Sequence, residues 1–276
     1  MATISSIGVG SNLDLAGLLT NLEKAESQPL VALEAKAKSY TSKLSAYGSV
    51  QSALSSLQTA ALKLADPTLF QSVTGTPTVS GILAASATDT SAAGNYSITV
   101  SQLAQSQSLV TTGQANTTTA IGNGKFTIDF GTVTGGTLDP VTGKYTGAGF
   151  TVDSTRVAKT ITIDPTNNTL GGIRDAINAA DAGVTATIVN DGSGTPNRLV
   201  LTSTQTGEAS SMRISVDGAA DTALKNLLNN DPAGTQNLQQ TAAAQSAKLN
   251  VNGIAITSPT NTVKEAIQGA TLTLVQ

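Results

Sequence analysis

Residues 29–65 read PLVALEAKAKSYTSKLSAYGSVQSALSSLQTAALKLA. Apolar side chains recur there every seventh residue. Leu33, Tyr40, Tyr47, Leu54 and Ala61 form one series, and Leu30, Ala37 and Leu44 form its companion. After Tyr47 the companion positions become Gln51 and Gln58, while Val50, Leu57 and Leu64 take over the apolar role. The seam slips by one position, as an ordinary 3.6-residue helix allows when its repeat is not strictly held. The pattern predicts a helix over 29–65, with Pro29 at its first position and Asp66-Pro67 as its stop. At about 1.5 Å per residue the rod is roughly 54 Å long.

Leu30, Leu33, Tyr40, Leu44, Tyr47, Leu54, Leu57 and Leu64 are the candidate helix-packing and oligomerisation residues. Burying each side chain is worth roughly 1.5–3 kcal/mol. A partner helix of similar length is therefore expected. Nothing later in the chain reads as one, so the expected partner is another subunit or a continuation beyond Gln276. Tyr40 and Tyr47, one heptad apart, read either as core packing or as a looser seam with an exchangeable partner. Gln51 and Gln58 read either as polar flank or as buried amides that set register.

Upstream, Leu15, Leu18, Leu19 and Leu22 fall on one helical face. Ser11 or Asn12 can cap this helix, Asp14 suits its first turn, and Pro29 is expected to end it. Downstream of Phe70 the period changes to two. Tyr96, Ile98 and Val100 alternate with polar residues, as do Phe126, Ile128 and Phe130. Ile161 and Ile163, then Val184, Ala186 and Ile188, then Leu199 and Leu201 follow the same rule. So do Leu249 and Val251, Ile254 and Ile256, and Leu272 and Leu274. These predict half-buried antiparallel strands, with Asn252-Gly253 as a two-residue hairpin turn.

Short helices are predicted over 170–180, 221–229 and 263–268. The Gly- and Thr-rich stretch 132–149 reads as a loop or ragged hairpin. A weak duplication pairs residues 161–188 with 255–274, each read as strand, Pro-Thr-Asn turn, helix, strand. The expected fold class is α+β. A long coiled-coil-type helix in an N-terminal leg (1–68) precedes antiparallel β-rich head domains with short helices. The first head domain is discontinuous (69–112 and 245–276), and the second (113–244) is inserted in it.

Charged residues are only 12% and aromatics 3% of the chain, and Cys, His and Trp are absent. That removes disulfides, thiolate ligands, cysteine nucleophiles and histidine bases, and with them a Ser-His-Asp arrangement. No cofactor and no metal are expected. A net charge of −3 provides no basic footprint for nucleic acid. The apolar runs are far shorter than the ~20 residues of a membrane span. Gly8-Val-Gly-Ser-Asn-Leu13 starts like a dinucleotide loop but ends in Leu. Gly143-Lys144 is followed by Tyr145, where a phosphate loop needs Ser or Thr. Asp175, Asp181, Asp191 and Asp217 are scattered and match no calcium-loop spacing. An enzyme is not expected.

Several stretches together resemble the flagellar hook-associated protein 2 family, the filament caps. Ile7-Gly-Val-Gly-Ser-Asn-Leu-Asp-Leu15 and Leu18-Leu-Thr-Asn-Leu-Glu-Lys-Ala-Glu26 resemble the family's N-terminus, and Lys43-Leu-Ser-Ala-Tyr-Gly-Ser-Val-Gln-Ser-Ala-Leu54 its long helix. Gly94-Asn-Tyr-Ser-Ile-Thr-Val100, residues 173–189 and Ala247-Lys-Leu-Asn-Val-Asn-Gly-Ile254 are similar to its head modules. The resemblance implies a secreted structural protein, exported through the flagellar type III channel and located at the distal tip of the filament. It implies a ring-forming homo-oligomer, often a pentamer, whose heads make a plate and whose terminal helices make legs. Implied partners are flagellin, which the cap helps to fold and insert, the hook–filament junction proteins and a flagellar export chaperone. Neither nucleic acid nor membrane insertion is implied. Some family members adhere to mucin, so a surface adhesin or glycan-binding module is an alternative. A flagellin-like filament subunit is another, although it needs terminal helices at both ends. Family chains continue past a strand like Leu272-Thr-Leu-Thr-Leu-Val275 into more head and a C-terminal helix. The expectation is thus the front part of such a protein.

Overall fold

The computed structural model describes residues 14–66 and 73–275. The chain divides into two compact units, one holding a long helix and the other all the strands.

The first unit is α1 (Leu15–Ala65), a single helix of 51 residues. Two helices meeting at Pro29 were expected, and this is corrected: Pro29 lies inside α1. Proline removes one backbone bond and disfavours a helix interior by about 3 kcal/mol. The Leu, Ala, Glu and Lys residues on either side are strong helix formers and carry the helix through. The N-cap is Asp14, whose carboxylate accepts from the Gly17 N–H at 2.9 Å. The expected alternatives, Ser11 and Asn12, lie outside the described residues. Thr20, Thr41, Ser49, Ser56 and Thr59 each donate a hydroxyl to the carbonyl four residues back, so the many small polar residues satisfy themselves on the helix surface. Asp66, which precedes a proline, is extended and closes the helix as expected.

The second unit is built from antiparallel ladders around two cores. The smaller core joins two three-stranded sheets. One has the order β1 (Leu83–Ala87), β14 (Ala270–Leu274), β13 (Thr262–Ile267). The other runs β12 (Ile254–Ser258), β11 (Ala247–Val251), β2 (Ile98–Gln102). Leu249, Val251, Val263, Leu272 and Leu274 are buried between them. The β11–β12 hairpin turns at Asn252-Gly253 with φ of 51° and 88°, the doubly positive turn that this dipeptide favours.

Residues 263–268, expected as a helix, are instead mostly β13. Val263 pairs with Leu272, both are buried, and a bulge with Glu265 at φ 61° re-aims the strand. Lys264, Glu265, Ala266 and Gln268 favour a helix, but the β-branched Val263 and Ile267 suit the ladder that β14 offers, and tertiary pairing overrides local propensity. The second copy of the proposed duplication therefore has a strand where the first has a helix.

The larger core lies among two sheets and two helices. Its first sheet has the order β10 (Gln239–Ala242), β3 (Ser108–Val110), β8 (Asn197–Ser203), β7 (Val184–Asn190). In the second sheet β4 (Gly124–Asp139) pairs with β5 (Lys144–Val152), β6 (Lys159–Ile163) and β9 (Ser211–Val216). Helices α2 (Leu170–Ala179) and α3 (Thr222–Leu228) bury Leu170, Ile173, Ile177, Leu224, Leu227 and Leu228 in it. Thr169 caps α2 by accepting from the Gly172 N–H. Residues 132–149 form a regular hairpin of β4 and β5, paired from Gly131↔Val152 to Asp139↔Lys144. Gly135, Gly136 and Gly147 supply the positive φ values that bend it.

Candidate functional site

All eight predicted packing residues lie on α1. Leu30, Leu33, Tyr40, Leu44, Tyr47, Leu54, Leu57 and Leu64 are between 58% and 74% exposed. No described residue of α1 is buried, so the helix brings them together only as a stripe on its own surface. A straight helix rotates a strict heptad series by about 20° per repeat, and the stripe winds slowly around α1. The Lys43 ammonium lies 5.9 Å from the Tyr40 ring centroid. Gln51 and Gln58 are exposed beside the stripe. Residues 44–62 contain no Asp, Glu, Lys or Arg at all, although no described helix is long and apolar enough to cross a membrane.

In the β-rich unit the polar groups act as fasteners. Gln107, 1% exposed, accepts from the Met212 N–H and donates to Gln240 Oε1 at 2.6 Å. Gln240 in turn donates to the Tyr145 hydroxyl. This relay ties β9, β10 and β5 through the core. Three other amides each bond both backbone groups of one distant residue, imitating a strand. Asn178 bonds Ala186 (2.9 and 2.8 Å), Gln236 bonds Tyr145 (2.6 and 2.9 Å) and Asn261 bonds Ala104 (2.7 and 3.0 Å). Sequence periodicity misses all of these, because the partners meet only in the fold.

The charged groups are structural in the same sense. Asp129 receives two bonds from Arg213, whose guanidinium also lies 5.0 Å from the Phe150 ring. The Asp129 hydrogen bond holds Arg213 above its ordinary pKa. Arg156 stacks 3.5 Å over Phe130, and burial lowers its pKa. Asp153 and Asp164 are held below the usual carboxylate range by the hydroxyls and then the backbone N–H groups of Thr155 and Thr166. Asp139 is lowered first by the Val141 N–H and next by the Thr142 hydroxyl. Asp191 is strongly lowered, first by its bond from Arg198 and then by Ser193. Among the described residues no cluster of acids could hold a metal ion. A groove of about 560 Å³ between β1, β14 and the segment before them is lined by Val79, Ile82, Leu83, Tyr96 and Leu272, with no charged side chain.

These shifts set the pH response. A carboxylate with a lowered folded pKa contributes stability that is complete above its unfolded value, about 3.9, and is lost as pH falls through the folded value. With neither His nor Cys in the chain, no side chain of ordinary pKa titrates between about pH 5 and 8. The thermal midpoint of the β-rich unit, followed by circular dichroism, is expected to be flat across that range and to fall below about pH 4. A step near neutrality would contradict this account.

The comparisons with known proteins agree with this architecture. The family described as flagellar hook-associated protein 2 N-terminus matches residues 11–107, and the flagellin hook IN motif matches 144–205. The chain is 40% identical over 269 residues to flagellar hook-associated protein 2 of Escherichia coli K12, covering 96% of this chain and 52% of the relative. It is 40% identical over 282 residues to that of Salmonella typhimurium, covering 100% and 55%. The chain thus spans about half the length of these relatives. The crystal structure of the D1–D2–D3 domains of the Escherichia coli flagellar cap protein matches with TM-score 0.70 and 36% identity, over 84% of this chain and 59% of that one. Its D2–D3 domains alone match with TM-score 0.60 and 35% identity, over 72% and 90%. These relatives are named as hook-associated and cap proteins, not as enzymes. From the helix through both β-rich cores, then, this chain belongs to the flagellar hook-associated protein 2 family.

Proposed function

We propose that this chain is the front part of a subunit that caps the bacterial flagellar filament. It acts by assembly, without covalent chemistry. The observation that carries this reading is the exposed apolar stripe of α1 in a chain of the cap family. An exposed apolar surface of this length marks an interaction site. On this reading α1 is a leg that packs into a helical bundle, and the β-rich unit is the head that makes the plate. The head comprises a first domain (69–112 and 245–276) and an inserted second domain (113–244); the two separate cores support a division of this kind, although Leu109 of β3, inside the first range, packs in the larger core.

The subunit leaves the cell by the flagellar export route, aided by a chaperone, and sits at the distal tip beyond the hook–filament junction proteins. There a ring of subunits shelters flagellin while it folds and inserts. Deleting the gene tests this. The expected result is short or absent filaments with flagellin in the medium, restored by the intact gene. Normal filaments and no leaked flagellin would sink the assignment.

A further inference from the structure

We propose that the two cores of the β-rich unit are joined by a hinge at Gln105 and Gln245 and held at one angle by a latch, the seating of Gly207 on Pro259. Among the described residues no apolar side chain belongs to both cores. The chain crosses between them from β2 to β3 and returns from β10 to β11. The crossings run antiparallel and meet in an isolated bridge, Gln105 N–H to Gln245 O at 2.9 Å and Gln245 N–H to Gln105 O at 3.1 Å. The ladders on both sides of it are irregular, with register shifts between Gln240 and Ala242 and between Lys248 and Leu249. Amide fasteners fix where this ribbon can bend. Asn261 ties Ala104 to the smaller core, and Gln107 is bonded to Met212 and Gln240 in the larger one. On the outgoing crossing only Gln105 and Ser106 lie between these anchors, and neither is buried. A connection this narrow and polar makes relative motion the default, with a few residues absorbing the backbone change.

The contacts that span the hinge come from one turn, residues 206–208 between β8 and β9. The Thr206 hydroxyl donates at 2.7 Å to the carbonyl of Pro259, which lies between β12 and β13. The Glu208 N–H donates to the Ser246 hydroxyl at 3.2 Å. Lys248 and Glu208 approach to 4.0 Å with both side chains about half exposed, an ion pair that contributes little. Gly207, between the two hydrogen-bonding residues, is buried, with φ 97° and ψ 151°, a conformation open essentially to glycine alone. A β-carbon there would stand 3.0 Å from the Cα, the Cβ and the carbonyl oxygen of Pro259. Glycine is thus needed twice over, for its own backbone and for the close approach of the other core. Thr206, Gly207 and Glu208 add no side chain to either apolar core, so the tight fit serves the contact between the cores.

The chain has no cysteine, so spin labels on Val157→Cys and Ile254→Cys, exposed positions in the parts on either side of the hinge, report the angle as a distance distribution. The labelled parent is expected to give one narrow peak. Gly207→Val unseats Pro259. Thr206→Ala combined with Pro259→Gly removes the contacts without straining residue 207. Each change should add a second, displaced population. Amide exchange at Leu201 and Leu249, one in each core, should stay as slow as in the parent, showing that both cores remain folded. A broad distribution in the parent would overturn the proposal, as would an unshifted narrow one in either variant. So would fast exchange at Leu201 or Leu249 in both variants, which would make the turn part of a core's folding.

Discussion

Leu201→Ala is expected to destabilise the β-rich unit by about 2–5 kcal/mol. Leu201 is wholly buried at the centre of β8, and it sits in a row with Leu109 of β3 on one side and Ala186 of β7 on the other. All three face the larger core. Alanine at 201 would stand beside the alanine already at 186, leaving a space with only Leu109 on its other side. The cost therefore includes both the lost transfer energy and the cavity. Urea unfolding followed by circular dichroism measures it. Val157→Ala, at a residue 83% exposed, is the matched control and should stay within about 0.5 kcal/mol of the parent. A loss at Leu201 no larger than the control's would mean that the core relaxes around it.

The second large effect concerns the leg. Leu54→Lys combined with Leu57→Lys should leave the stability of this chain unchanged, because both positions are already exposed and lysine is a good helix former. In the complete subunit the same pair should abolish filament capping, since a charge forced into an apolar seam without a partner is strongly unfavourable. Swarming and flagellin leakage in cells carrying the doubly changed gene give the readout. Ser52→Lys with Ser55→Lys adds the same charge away from the stripe and should be tolerated. Equal swarming by both pairs would remove the stripe from the assembly.

Much of this architecture was legible in the chain. The heptad series at Leu33, Tyr40, Tyr47 and Leu54 marked α1, and Phe126-Thr-Ile-Asp-Phe130 and Val184-Thr-Ala-Thr-Ile188 marked buried strand faces. These patterns are local, and burial on one face writes them directly into the sequence. Pro29 misled because a proline's cost is only a few kcal/mol, which a helix of this length absorbs. Residues 263–268 misled because six residues are too few for a helical period to compete with a waiting ladder. The Gly-rich 132–149 hairpin was read too loosely, since glycines that look like loop are needed at positive φ inside it. The amide fasteners had no signal of any kind. Gln107 and Gln240 are far apart in sequence, and one buried amide looks like any other until the fold brings it its partner. The stripe on α1 was visible as a pattern, and the structure places every one of its residues at the surface.

The uncharged stretch of α1 has one more consequence. Residues 44–62 have no side chain with which to form an ion pair, so whatever packs there is held by shape and by the exclusion of water. Sodium chloride at moderate strength screens charges and finds little to screen along this seam. Sulfate, which is excluded from protein surfaces and strengthens apolar burial, tightens it. A seam built on residues 44–62 is thus indifferent to the ionic strength around it.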